Sequence, residues 1–177
     1  MKTSDPGPIW QPPVGATTCR DSKNIRDDAS LLQKPHGGDL RKGRRSITGQ
    51  TYLITTVTQY RQPVFADFTN ARLLVKALMF EQQRDSAKTL AYVVMPDHLH
   101  WLMTLGSLKP LSAVVQAIKT ATAKHIGRPI WQAGYHDRAV RREEDLQALA
   151  RYMVANPLRA NLVDKIGDYP HWDATWF

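Results

Sequence analysis

His98 and His100 stand one residue apart in the segment MPDHLHWLM, directly after a proline–aspartate turn signal. Side chains of a strand alternate between its faces, so His98, His100, Leu102 and Thr104 share one face and Leu99, Trp101, Met103 and Leu105 the other. The second set is wholly apolar and is the expected core face. The imidazoles then point the opposite way, with backbones roughly 7 Å apart, which lets two rings converge on one divalent ion. Such a pair also occurs as plain structure, and its spacing alone does not separate the two readings. A catalytic metal site of this type usually takes a third protein ligand. Cys19, the only cysteine, lies outside the patterned body and cannot supply it.

A third ligand is available downstream. EEDLQALARYMVAN reads as a helix whose Leu146, Leu149, Ala150 and Met153 form a buried stripe. At about 100° per residue, Tyr152 and Asn156 lie together on the flank of that stripe, one turn apart. Pro157 disfavours helical backbone at Asn156 and is expected to end the helix there. Asn156 is either a C-terminal cap before the proline or a polar ligand. Tyr152 is either a half-buried packing ring or a nucleophile.

The remaining pattern supplies a frame for these groups. TYLITTVT, from Thr51, is rich in β-branched residues and reads as a strand. DFTNARLLVKALMFEQQ carries Leu73, Leu74, Ala77 and Leu78 at helical spacing, with Asp67 or Thr69 as its cap. The strands Leu90–Met95 and His98–Leu105 form a hairpin through Pro96-Asp97. A second helix, from about Pro110 to Ile126, buries Leu111, Val114, Val115, Ile118 and Thr122 and turns Lys119 and Lys124 elsewhere; Gly127 and Pro129 stop it. WQAGYHDRAVRR is loop plus a short strand, in which Trp131 and Tyr135 either pack on the core or stack on bases. The order β-α-β-β-α-β-α implies an α+β fold, a ferredoxin-like sandwich with an antiparallel sheet and packed helices.

Bulk properties narrow the partners. The chain has 177 residues and a hydrophobic content of 42%, enough for one domain with a packed core. That length excludes the amidohydrolase barrel, another home of paired histidines, which needs about 250 residues. The formal charge of +8 favours a polyanionic partner, nucleic acid rather than membrane. A single cysteine permits no intrachain disulfide and fits a cytoplasmic setting, and no apolar run is long enough to cross a membrane. Residues 1–49 hold 5 of the 11 prolines and 6 of the 10 glycines without a sustained period, as expected of a flexible basic extension. Residues 50–177 are the expected single domain. The extension carries RKGRR, whose Arg44 and Arg45 are candidates to track phosphates. Lys119, Lys124, Arg138, Arg141 and Arg142 are further candidates for DNA contact, each otherwise a solvated charge.

YVVMPDHLHWLM, IWQAGYHDRAVR and RYMVANPLRANLV, in that order and spacing, resemble the REP-associated tyrosine transposases of the single-tyrosine HUH superfamily, named for its His-hydrophobe-His element. The resemblance spans about Thr51 to Trp172. It implies that His98 and His100 hold Mg²⁺ or Mn²⁺ with Asn156, and that Tyr152 attacks single-stranded DNA folded into hairpins of repetitive extragenic palindromes. It further implies a bacterial, nucleoid-associated protein acting as a monomer, with a homodimer as the alternative. Two departures stand out: Arg138 where the family often has histidine, and Asp97 where asparagine is frequent. The rival from another class is a domesticated hairpin-binding protein that does not cut. An RNA-binding domain of this fold would want exposed aromatics where the histidines stand.

Overall fold

Strand alternation decides which side of the sheet each functional group can reach. The computed structural model describes residues 46–141 and 144–176. In them β1 (Thr51–Val57), α1 (Phe68–Gln83), β2 (Ala87–Met95), β3 (His98–Leu105), α2 (Leu111–Ile126), β4 (His136–Ala139), α3 (Leu146–Val154), the one-turn α4 (Asn156–Arg159) and β5 (Trp172–Ala174) follow in order. The strands form one antiparallel sheet, ordered β4-β1-β3-β2-β5. Crossovers β1-α1-β2 and β3-α2-β4 around the β2–β3 hairpin make the expected ferredoxin-like pattern. The edge strand β5 is additional. Its three residues are too few to show a period, and pairing with β2 is what makes them a strand.

Cross-strand partners share a face, so the register sorts the sheet into two sides. Tyr52, Ile54, Val94, Leu99, Trp101 and Met103 pack with Leu74, Leu78, Val114, Val115 and Ile118 beneath α1 and α2. On the opposite side Ala91, Val93, Met95 and Leu102 pack with Ala150, Met153 and Val154 of α3. The histidine side is therefore a second core face, and α3 covers part of it. β2 begins at Ala87 rather than Leu90, because a register shift between Thr89 and Ala91 hides its period.

Local chemistry sets the helix ends. Asp67 caps α1 by accepting from Asn70 N at 2.8 Å. Asp145 caps α3 by accepting from Gln147 N and Ala148 N, so α3 starts at Leu146 and not at the glutamates expected to open it. Gly127, at φ 85°, closes α2 in the left-handed conformation that favours glycine. Pro157 does more than stop a helix. It sits in the first turn of α4, where its missing N–H costs nothing. Ser46 Oγ accepts from Leu111 N at 3.1 Å and Ile47 N donates to the Tyr52 hydroxyl at 3.0 Å, so the chain already engages the body before Thr51. The extension proposed for residues 1–49 otherwise lies outside the described residues. Among the described residues, no helix is long and apolar enough to cross a membrane.

Leu99, fully buried between the two histidines, anchors their strand to the α1–α2 layer. Leu99→Ala is expected to destabilise the fold by about 2–5 kcal/mol in urea denaturation; a loss within error would mean that this strand is not held from behind.

Candidate active site

The site is built on a two-residue turn. Thr58 N and Thr58 Oγ1 both donate to the Asp97 carbonyl, at 2.8 and 2.9 Å, and fasten the β2–β3 turn to the end of β1. The Asp97 carboxylate accepts from His98 Nδ1 at 2.5 Å through one oxygen and from Arg61 Nη1 at 2.7 Å through the other. Burial opposes its ionisation, but the bonds from His98 and Arg61 outweigh that and hold its carboxyl below the usual range. In register with His100 stands Thr55, whose Oγ1 lies 2.9 Å from His100 Nδ1. Both rings thus have Nδ1 tied back, while their Nε2 atoms face each other 3.1 Å apart across rings inclined at 86°.

This arrangement fits a divalent ion. Donors about 2.0–2.1 Å from one metal, at angles from octahedral to tetrahedral, lie about 2.8–3.4 Å from each other, and the two Nε2 atoms, 3.1 Å apart, fall within that range. A carboxylate or hydroxyl behind each Nδ1 is the usual way to fix a ligating imidazole in its tautomer. His98 donates from Nδ1 to Asp97, which in the neutral ring leaves the lone pair on Nε2. Thr55 hydroxyl can either donate or accept, so His100 can present Nε2 as N–H or as a lone pair. Among the described residues, no group of three His, Cys, Asp or Glu side chains is placed to hold a metal ion. Among those residues a third donor would be of another type, such as an amide.

Asn156 and Tyr152 come from α4 and α3 on the histidine side of the sheet. Asn156 Nδ2 donates to Met153 O at 2.8 Å, which fixes the amide, and its Oδ1 accepts from Arg159 Nη2 at 2.5 Å. The cap residue of α3 is Ala155, while the Asn156 side chain satisfies one of the helix's terminal carbonyls from the start of α4. Tyr152 is 55% exposed, not half-buried packing, and the Arg159 guanidinium lies 4.0 Å from its ring centroid. Among the described residues, no hydrogen bond joins the Tyr152 hydroxyl to either imidazole. The link runs through Arg159, whose charge also reaches His100. Neither Arg159 nor Thr55 was singled out by sequence pattern. Arg159 follows Asn156 by three residues, a helical neighbour, but Pro157 suggested a helix that had already ended. Thr55 needed the strand register.

The basic candidates fare unequally. Lys119 is not a DNA contact: it is buried, and its Nζ donates to the Gln132 and Gly134 carbonyls at 2.7 Å each, bracing the loop before β4. Lys124 is exposed, but α2 lies on the side of the sheet away from the histidines. Arg138 shares the histidine side, in register with Leu53, and is paired with Glu144 at 2.6 Å. Arg141 is exposed and its backbone N also donates to Glu144. Arg44, Arg45 and Arg142 lie outside the described residues. Trp131 and Tyr135 pack against the core rather than offering themselves to bases; Trp131 lies 5.2 Å from Phe65.

Two outcomes follow. Lys119→Met strands two carbonyls and is expected to cost about 1–3 kcal/mol of stability, read by chemical denaturation. Burial first, then the charges of His98 and Arg159, depress the His100 imidazole to about 3, with Asp97 opposing. The unfolded chain takes up that proton near 6.5, so this residue withdraws stability as pH falls from about 6.5 toward 3. In an NMR titration the His100 ring is expected to stay neutral through the pH range where an ordinary imidazole protonates. A midpoint near 6.5 would contradict the seat described for it.

Comparison with known proteins bears on the family and the fold. Residues 46–156 match the family described as transposase IS200 like. The chain is 26% identical over 129 residues to the REP-associated tyrosine transposase of Escherichia coli K12, covering 72% of this chain and 78% of that protein. A Haemophilus influenzae relative is 25% identical, across 72% of this chain and 82% of its own length. A solved structure of a REP-associated tyrosine transposase bound to a REP hairpin superposes with a TM-score of 0.64 at 25% identity, covering 73% of this chain and 79% of that one. With its histidine pair, four of its five strands and most of its length inside residues 46–156, the chain belongs to the IS200-like transposase family.

Proposed function

We propose that this protein cleaves and rejoins single-stranded DNA at palindromic hairpins, with Tyr152 as nucleophile and Mg²⁺ or Mn²⁺ held by His98, His100 and Asn156. The observation that carries the reading is the convergence of two Nε2 atoms, 3.1 Å apart, on the side of the sheet that bears Tyr152 and Asn156. Hairpin DNA is the ligand of the superposed relative, and a charge of +8 suits a polyanion.

The chemistry is a transesterification. Tyr152 Oη forms a bond to phosphorus as the bond from phosphorus to the 3′ oxygen breaks. The phenol proton ends on that oxygen. The products are a 5′-phosphotyrosine and a free 3′-OH, so the phosphodiester's energy is retained and the step reverses without a nucleotide cofactor. A bound divalent ion supplies Lewis-acid polarisation of the phosphate and stabilises the departing oxygen. Asp97 and Thr55 keep the imidazoles in place, and the exposed position of Tyr152 leaves its hydroxyl open to a strand.

The test uses a labelled single-stranded palindromic oligonucleotide with Mn²⁺ and a denaturing gel. The wild-type chain is expected to form a covalent adduct that Tyr152→Phe loses completely. His100→Ala is expected to abolish the adduct while sparing most hairpin affinity on a native gel, because affinity comes from basic side chains. Retarded DNA without any adduct, under several divalent metals, would instead establish a hairpin-binding protein that does not cut.

A further inference from the structure

Tyr152 and Asn156 share one neighbour, the guanidinium of Arg159. It stacks at 4.0 Å on the Tyr152 ring and donates from Nη2 to Asn156 Oδ1. Its surroundings also differ from those of the other arginines nearby. Arg61 is neutralised by Asp97, and Arg138 by Glu144. Among the described residues, no carboxylate pairs with Arg159. The side chain is exposed, with one flat face on an aromatic ring and one of its five N–H donors spent on an amide. An uncompensated cation stacked on the ring of the proposed nucleophile is an arrangement in want of an anion. The planar fork of a guanidinium suits phosphate oxygens better than a point charge does.

We propose that Arg159 is the residue that receives the reacting phosphate: it donates to a non-bridging oxygen of the phosphodiester that Tyr152 attacks, and its stacking on the ring sets the angle of that attack. This rests on the reading of Tyr152 as the nucleophile. Arg159 stays protonated throughout. It gives and takes no proton, and it stabilises the negative charge spread over the non-bridging oxygens while the Tyr152–phosphorus bond forms and the bond to the 3′ oxygen breaks. Its bond reaches the oxygen of the Asn156 amide, which Met153 O already holds in place, so one side chain touches nucleophile, ligand and substrate together.

The experiment compares single-turnover adduct formation on two hairpins, one with an ordinary scissile phosphodiester and one with a methylphosphonate there, in which a methyl group replaces a charged oxygen. On the ordinary strand Arg159→Ala is expected to slow adduct formation about 10²–10³-fold, with hairpin affinity changed far less. On the methylphosphonate the same substitution is expected to cost only a few-fold, because the contact has already been removed from the DNA side. Arg159→Lys keeps charge and stem but loses the fork, so it serves if the alanine variant folds poorly, and it is expected to recover only part of the rate. Binding of Mn²⁺ to the DNA-free variants, read by electron paramagnetic resonance, is expected to match or exceed that of the wild type. Equal penalties on both hairpins, or full-rate cleavage by Arg159→Ala, overturn the assignment of Arg159 alone. A wild-type chain that forms no adduct on either overturns the nucleophile reading and this inference with it.

Discussion

Two ring nitrogens held 3.1 Å apart, with no carboxylate between them, are an expensive thing for a chain to keep. Left to themselves the side chains of His98 and His100 would choose separate rotamers and solvate. What prevents it is a set of fixed backs. Asp97 bonds one Nδ1 and Thr55 the other, Thr58 fastens the turn that carries Asp97, and the β1–β3 register puts Thr55 opposite His100 rather than a residue away. A register slip of one position would exchange both faces at once. Leu99, Trp101 and Met103, all fully buried on the far side, make that slip costly.

The second half of the site depends on a break in a helix. Had α3 continued as one regular rod, Tyr152 and Asn156 would simply be neighbours one turn apart. Instead α3 stops at Val154 and a new turn begins at Asn156 with Pro157 in its first positions. The Asn156 amide spends its nitrogen on the last turn of α3 and its oxygen faces Arg159 of α4. Packing of Ala150, Met153 and Val154 onto β2 fixes where this junction sits against the sheet. The polar groups can then be exact in placement while remaining open to a strand.

How much of this could be read from the chain follows from which interactions are local. The face of each histidine comes from strand alternation, a property of neighbouring residues, and the register agrees with it. The pairing of Tyr152 with Asn156 comes from the helical period in the same way, and the order of elements through α3 follows from runs long enough to show their period. Lys119 shows the limit. Its helical position sets it off the apolar stripe, yet two carbonyls of a loop 13 and 15 residues away close over it. Arg159 was hidden by a sound local rule, since a proline that cannot continue a helix can start the next one. Thr55 and β5 became visible only through pairing, which no single segment encodes.

The irregularity at Leu90 bears on how the chain tolerates length change. Because Leu90 and Ala91 both turn toward the α3 side, the parity of β2 resets there: Ala87 faces α1, whereas Ala91, Val93 and Met95 face α3. Losing or gaining one residue ahead of this point can be absorbed by sliding the bulge along the strand, without touching the turn. The same change between Val93 and Trp101 has no such slack and would rotate both imidazoles through the sheet to the opposite layer. The chain thus divides into a stretch where indels are forgiven and a stretch, residues 93–101, where the reading frame of the pleat decides which layer the imidazoles face.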